Sequence, residues 1–240
     1  MKYLSLFLFS LFLFTSSAEP KKPFVVVQLF TSQGCSSCPP ADALIEKVKE
    51  EYKDQNVFVM SYHVDYWNRL GWKDPFSQRE FTELQYDYAE QFRERRVYTP
   101  QVVMNGKEHF VGSNSSKLRS KIKSYLKSKA ENSLTFTKTK DDEGNTVLNY
   151  KVDGKLKNKK VKLAFVLENS VTKIKRGENS NRTLSNSNIV LQESILGLND
   201  ENKGSYIIPN IDIRKGNKIL LIAFVQNEKL QITGATQISI

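Results

Sequence analysis

The chain of 240 residues is poor in cysteine and histidine, with two of each, and holds only two tryptophans and three methionines. Two cysteines cannot build the disulfide framework that staples small secreted domains. Together with two histidines they supply protein ligands for at most one four-coordinate metal site. Long hydrophobic runs are also scarce. Beyond Phe14 no stretch is long and apolar enough to span a bilayer, which takes roughly 20 helical residues. Internal repeats are absent, as are motifs for nucleic-acid binding or hydrolysis. What the chain does have is an excess of base, 36 Lys+Arg against 26 Asp+Glu for a net charge of +10. That excess is mostly lysine and spread over both halves, so alone it does not argue for nucleic acid. A hydrophobic share of 39% with 26% charged residues describes a folded chain rather than a disordered one. The length suits one large domain or two of about 100–120 residues.

The first residues read as a targeting segment. Lys2 precedes an apolar run from Leu4 to Phe14, too short for a span, and Thr15-Ser16-Ser17-Ala18 supplies a small-residue exit. The pattern predicts a secretory signal peptide over residues 1–18, cut after Ala18, with an uncleaved anchor as the alternative. No cysteine follows the run, which speaks against a lipid anchor. The expected product is secreted or periplasmic, with no stable membrane insertion after cleavage.

Two textures follow. Over residues 19–130 the pattern alternates between strand and helix. Phe24–Phe30 and Val57–Tyr62 are short Val-rich runs typical of buried strands. Between them Ala41, Leu44, Ile45, Val48 and Tyr52 fall on one helical stripe. Asp74-Pro75 reads as the start of a second helix, whose stripe runs through Phe81, Leu84, Tyr88 and Phe92. Gln101–Met104 and Glu108–Val111 flank Asn105-Gly106, a strong hairpin signal. A third helix carries Leu118, Ile122, Tyr125 and Leu126. Two strands joined through a helix are expected to run parallel with a right-handed crossover. This order of elements resembles the thioredoxin core. Over residues 131–240 the readings are strands: Leu134–Thr139, Val147–Val152, Val161–Leu167, Tyr206–Ile213, Ile219–Gln226 and Leu230–Ile238. Turn signals such as Glu143-Gly144-Asn145 and Lys215-Gly216-Asn217 separate them, and the sum suggests a small β-sandwich-like domain. Asn169 to Ser187 reads as a long polar loop.

Cys35-Ser36-Ser37-Cys38 follows the first strand and opens the first helix. A thiol placed there faces unpaired N–H groups and the positive end of the helix dipole, both of which favour thiolate. Two intervening residues let a second sulfur release a mixed disulfide as an internal one. Cys35, nearer the loop, is expected to attack and Cys38 to resolve. The alternatives are an inert structural disulfide and a soft-metal site. A staple closing so short a loop removes little chain entropy, which weakens the first. Pro39 is expected to disfavour helical backbone at Cys38.

The loop after the second strand reads His63-Val64-Asp65-Tyr66-Trp67, and parallel strands place it beside the cysteines. His63 could lower the Cys35 pKa, act as acid or base, or join both sulfurs as a metal ligand, with Asp65 orienting it. The plainer reading is a packed loop. His109, in the hairpin, is read as structural. Thr99-Pro100 heads the third strand, at the sheet edge where the first two strands end.

These motifs carry a resemblance. Leu29 to Asp42, including Gln33-Gly34-Cys35-Ser36-Ser37-Cys38-Pro39-Pro40, is similar to a family of secreted bacterial thioredoxin-like proteins. So are His63 to Trp67, Leu70 to Phe76, Tyr98-Thr99-Pro100-Gln101 and, in the second half, Arg176-Gly177-Glu178-Asn179 with Arg182-Thr183-Leu184. The resemblance implies an α/β thioredoxin-like domain, here followed by an all-β sandwich-like domain, and export. It also implies a cis Pro100 beside the sulfurs, with Thr99 offering backbone groups to a substrate strand. It implies no established substrate. Thioredoxin's Trp before the first cysteine and its Gly-Pro between the two are missing, so the redox direction is open. The functional expectation is a thiol–disulfide oxidoreductase acting on exported protein thiols or disulfides with an unknown redox partner. The alternative is a binding module, either an interaction protein or a copper site formed by Cys35, Cys38 and His63. The absence of Met-rich or His-rich tracts counts against a dedicated copper carrier.

Overall fold

Val25–Thr31 (β1) is buried at every position, because it has a sheet neighbour on each side and a packed layer on each face. The structure is a computed structural model describing residues 21–209 and 218–238. The expected signal peptide at 1–18, the end of the strand expected at Tyr206–Ile213 and the Lys215-Gly216-Asn217 turn lie outside the described residues. Pro39–Glu51 (α1) carries the chain from β1 to Val57–His63 (β2), which pairs with β1 in parallel from Val25↔Val57 to Thr31↔His63. Its prolines occupy the first turn, where no N–H is needed, and Ala41, Leu44, Ile45 and Val48 form the buried stripe.

Arg79–Phe92 (α2) starts later than Asp74-Pro75 suggested. Asp74 does not cap it. Its carboxylate accepts from the Phe76 N–H in a local turn and points its other oxygen into the protein, while Gln78, extended, takes the N-cap position. Gln101–Met104 (β3) lies antiparallel on the far side of β1, and Glu108–Val111 (β4) follows it. Asn105 and Gly106 both have positive φ, 47° and 65°, as a type I′ turn demands. A Cβ at Gly106 would overlap the Leu230 carbonyl. Gly106→Ala should therefore cost more than the roughly 1–2 kcal/mol that left-handed backbone costs an L residue. The readout is a lower midpoint in urea with an unchanged slope; an unshifted midpoint would contradict this close approach. Ser115–Tyr125 (α3) is N-capped by Asn114, whose Oδ1 accepts from Lys117 N at 3.0 Å.

In the second half, Ser133–Lys140 (β5), Thr146–Asp153 (β6) and Lys203–Ile207 (β9) make a three-stranded sheet. Lys159–Lys173 (β7), Thr183–Leu196 (β8), Ile219–Asn227 (β10) and Ile232–Ile238 (β11) instead join the first-half strands in an eight-stranded sheet, β11-β10-β7-β8-β2-β1-β3-β4. The join is narrow, a parallel pair at Ser61↔Ile189, reinforced by Ser61 Oγ donating to Ser187 O and Asn188 Nδ2 to Val59 O. Strand alternation divides the interior into three cores. Val25, Val27 and Leu29 face α1 and α3. Val26, Phe30, Met60 and Tyr62 face α2 and the apolar sides of β7 and β10, at Ala164, Val166, Ile222 and Phe224. Leu163, Phe165, Leu221 and Val225, on the opposite face, pack on Leu148 and Tyr150 of the small sheet.

The segment from Asn169 to Ser187 is mostly strand, not loop. β7 and β8 run on as a hairpin paired out to Lys173↔Thr183. Its residues are polar because this end leaves the apolar cores and leans on the loop that carries the cysteines.

Candidate functional site

β1 ends at Thr31, and Ser32-Gln33-Gly34 turns the chain into Cys35. The turn is closed by Cys35 N–H donating to Ser32 O at 3.1 Å and Cys38 N–H to Cys35 O at 3.3 Å. Cys38 sits in helical backbone despite the following Pro39, because this turn runs straight into α1. Cys35 and Cys38 are disulfide-bonded, with Cα atoms 5.5 Å apart. Both are fully buried, whereas Ser36 and Ser37 are exposed. Cys35 is thus no more accessible than Cys38 in this oxidised state, and the expected asymmetry lies in their hydrogen bonds. Thr99 Oγ1 is 3.3 Å and Ser37 Oγ 3.4 Å from Cys35 Sγ. The Trp67 indole N–H donates to Thr99 Oγ1 at 2.8 Å. An indole only donates, so the Thr99 hydroxyl keeps its own proton free for the sulfur. The Thr99–Pro100 bond is cis.

Next to the loop that leads into Cys35 lies a buried ionisable cluster. His63, at the end of β2, is fully buried, with Nδ1 2.7 Å from Asp74 Oδ2. That same carboxylate oxygen accepts from Gln33 N at 2.8 Å, which ties His63 to the cysteine loop. Asp42, one helical turn after Cys38, accepts from the Thr31 hydroxyl at 3.0 Å. Burial pushes the Asp42 carboxyl up to about 7, with His63 and Thr31 holding it back. Burial pulls His63 down, but the Asp74 carboxylate more than offsets this and leaves it raised. Asp74 is pushed up by burial, yet His63 and the N–H groups of Gln33 and Phe76 bring it below the usual carboxylate range. Among the described residues, His63 Nε2 finds no protein partner although it is buried.

Asp65 is not the partner of His63. Its carboxylate accepts from the Thr82 hydroxyl at 2.6 Å and so braces α2 against its own loop. The nearer carboxylate in sequence lost to Asp74, which the turn at Pro75 brings back under β2. His109 stays in the hairpin, its Nδ1 3.0 Å from the Tyr98 hydroxyl and its ring against Phe92. Among the described residues no three His, Cys, Asp or Glu side chains are grouped to hold a metal ion. Cys35 and Cys38 are joined as a disulfide, and His63 Nδ1 is held on Asp74.

The hairpin tip between β7 and β8 completes the site from the second half of the chain. Asn179, fully buried, donates from Nδ2 to Gln33 O and Cys35 O, both at 2.9 Å, and accepts from Arg182 at 2.9 Å. Glu178 Oε2 accepts from Ser36 N at 3.1 Å. Gln33 donates to Thr172 and Asn186 and accepts from the Trp72 indole. Gly177 lies under Trp72, where a Cβ would meet Trp72 Cβ at 3.1 Å. In the sequence Arg176 to Asn179 stands out only as a motif. The sequence signal for Asp42 is its spacing of four after Cys38, one helical turn along α1.

Among the described residues no helix is long and apolar enough to cross a membrane. No curated protein matches the chain. Among solved structures it is similar to protein AGR_C_4864 from Agrobacterium tumefaciens, at 26% identity and a TM-score of 0.70, over 91% of this chain and 95% of that one. HBP35 of Porphyromonas gingivalis shares the fold at 19% identity and a TM-score of 0.62, over 92% of this chain and 76% of that one. Residues 26–226 match the family model described as "Protein of unknown function (DUF1223)", and the chain belongs to that family.

Proposed function

We propose that this chain is an exported thiol–disulfide oxidoreductase whose Cys35–Cys38 pair exchanges with thiols and disulfides of other exported proteins. The disulfide itself is compatible with redox use. The observation that carries the reading further is the hydrogen-bond chain from Trp67 through Thr99 to Cys35 Sγ. In the reduced protein it would stabilise negative charge on that one sulfur. In the reducing direction the Cys35 thiolate attacks a client disulfide, forming a mixed disulfide and releasing one client thiolate. Cys38 then loses its proton and attacks Cys35 Sγ, releasing the second client thiolate. Two electrons pass to the client and the internal disulfide is restored. Asp42, close to Cys38 along α1 and titrating near neutrality, is the candidate acceptor for the Cys38 proton. His63 and Asp74 form the polar floor beside it.

This reading takes residues 19–130 as a thioredoxin-like domain and residues 131–240 as a β-rich, sandwich-like domain. The cysteine pair between β1 and α1, with Pro100 at the head of antiparallel β3, supports it. Export to the periplasm or beyond rests on the signal-peptide pattern read in the sequence over residues 1–18.

Thr99→Val tests the central contact. It keeps the shape and removes the donor, so the Cys35 pKa should rise by about one unit. Exchange of the reduced protein with oxidised glutathione should slow by up to about tenfold near neutral pH. An unchanged thiol titration would show that the contact does not support the thiolate. A wild-type dithiol inert toward glutathione would overturn the function itself.

A further inference from the structure

We propose that Glu178, on the tip of the β7–β8 hairpin, holds the Cys35–Cys38 pair toward its disulfide form and so makes the reduced protein an electron donor to client disulfides. The inference rests on the exchange reading above and gives that exchange a direction.

Three observations carry it. The tip is fastened to the cysteine loop: Asn179 is fully buried, spends both amide hydrogens on Gln33 O and Cys35 O, and is itself held by Arg182. Ile174, at the base of the tip, is buried as well. Glu178 is therefore held next to a fixed partner. Second, its carboxylate accepts from the Ser36 N–H, the amide that directly follows Cys35. That amide, in the turn ahead of α1, would otherwise be free to favour negative charge at Cys35. Third, the disulfide is neutral and indifferent to a nearby carboxylate, whereas a Cys35 thiolate is opposed by it. Among the described residues, Asp42 on α1, the His63–Asp74 pair and Arg182, which donates to Asn179, are charged groups of the same region that a change at Glu178 alone leaves in place. Glu178 is exposed, so solvent screens its charge and the effect is moderate.

In the proposed direction the dithiol gives up two electrons and two protons, and the client disulfide becomes two thiols. Turnover then needs re-reduction by an external dithiol donor.

Glu178→Gln keeps the size of the side chain and an acceptor for Ser36 N–H while removing the charge. The Cys35 pKa should fall by about half to one unit, read from the pH dependence of alkylation. At pH 8.5 the equilibrium with glutathione should move about three- to tenfold toward the dithiol, or about 15–30 mV at 29.6 mV per tenfold. The shift should shrink below pH 6, where both proteins hold protonated thiols. Glu178→Lys should move both readouts further in the same direction. A folded Glu178→Gln protein with unchanged thiol titration and unchanged equilibrium overturns this inference and leaves the exchange reading standing. A wild type that never equilibrates with glutathione overturns the exchange reading instead.

Discussion

Cys38→Ser should turn the protein into a trap that stays covalently joined to its clients, whereas Cys35→Ser should lose exchange altogether. The two sulfurs share one disulfide and are equally buried, so the difference must come from their surroundings. Cys35 Sγ has the Thr99 and Ser37 hydroxyls within 3.4 Å. Cys38 lies at the N-cap of α1, above Asp42. With Cys38 replaced, Cys35 can still attack, but nothing resolves the mixed disulfide. With Cys35 replaced, the remaining thiol lacks both hydroxyl donors, and the rate should fall on the order of a thousandfold or more. Mass spectrometry of non-reduced samples after incubation with a disulfide-bonded protein reads the first effect, and stopped-flow with a chromogenic disulfide reads the second. Similar trapping by both variants would contradict the assignment.

Asp42→Asn should make the protein more stable and less active at once. The folded-state pKa of Asp42 is raised to about 7, so the folded chain holds this proton to higher pH than the unfolded chain does. A group raised in this way favours folding below its unfolded pKa, and that contribution is lost as pH rises through the folded value. Wild-type stability should accordingly fall between about pH 4 and pH 7 on account of this group. The amide that replaces the carboxyl in the variant does not ionise. The gain over wild type should be near zero at about pH 4 and reach a few kcal/mol at about pH 8, at about 1.4 kcal/mol per unit. The His63–Asp74 pair contributes in both senses. Asp74, lowered, contributes above the usual carboxylate range, and His63, raised, contributes until pH rises through its folded value. Both remain in the variant, but Asp42 also helps to raise His63, so the difference includes the loss of that interaction. Resolution by Cys38, deprived of its proton acceptor, should slow by roughly 10²-fold near neutrality. Urea titrations at about pH 4 and pH 8 and the decay of a preformed mixed disulfide check the two halves. An equal stability difference at both pH values would show that no buried ionisation occurs at this position.

The sequence made the immediate neighbourhood of the cysteines legible, because it is built from local patterns. β1 is a Val-rich run, α1 an amphipathic stripe behind two prolines, and the β3–β4 turn an Asn-Gly pair with positive φ at both positions. Longer-range parts of the site left weaker marks. Asp74-Pro75 looked like a helix start, yet its carboxylate is spent on His63 and Gln33. Asp65 stood closer to His63 in the chain, but it braces Thr82. β8 carries little strand signal because its first half, Thr183 to Asn188, is polar apart from Leu184, and its burial depends on neighbours rather than on its own hydrophobicity. Glu178 and Asn179 reach the cysteine loop across more than 140 residues of chain. No periodicity encodes such a contact. It exists because β7 and β8 extend beyond the apolar core as a paired hairpin.

The most direct measurement is a redox titration of the purified wild-type chain in glutathione and dithiothreitol buffers, counting free thiols while monitoring folding by circular dichroism. An exchange-active pair should show one reversible two-electron transition between folded states, at about −200 to −270 mV, in the range of dithiol oxidoreductases. A pair that stays oxidised below roughly −300 mV, as structural disulfides do, or that opens only when the protein unfolds, would contradict it.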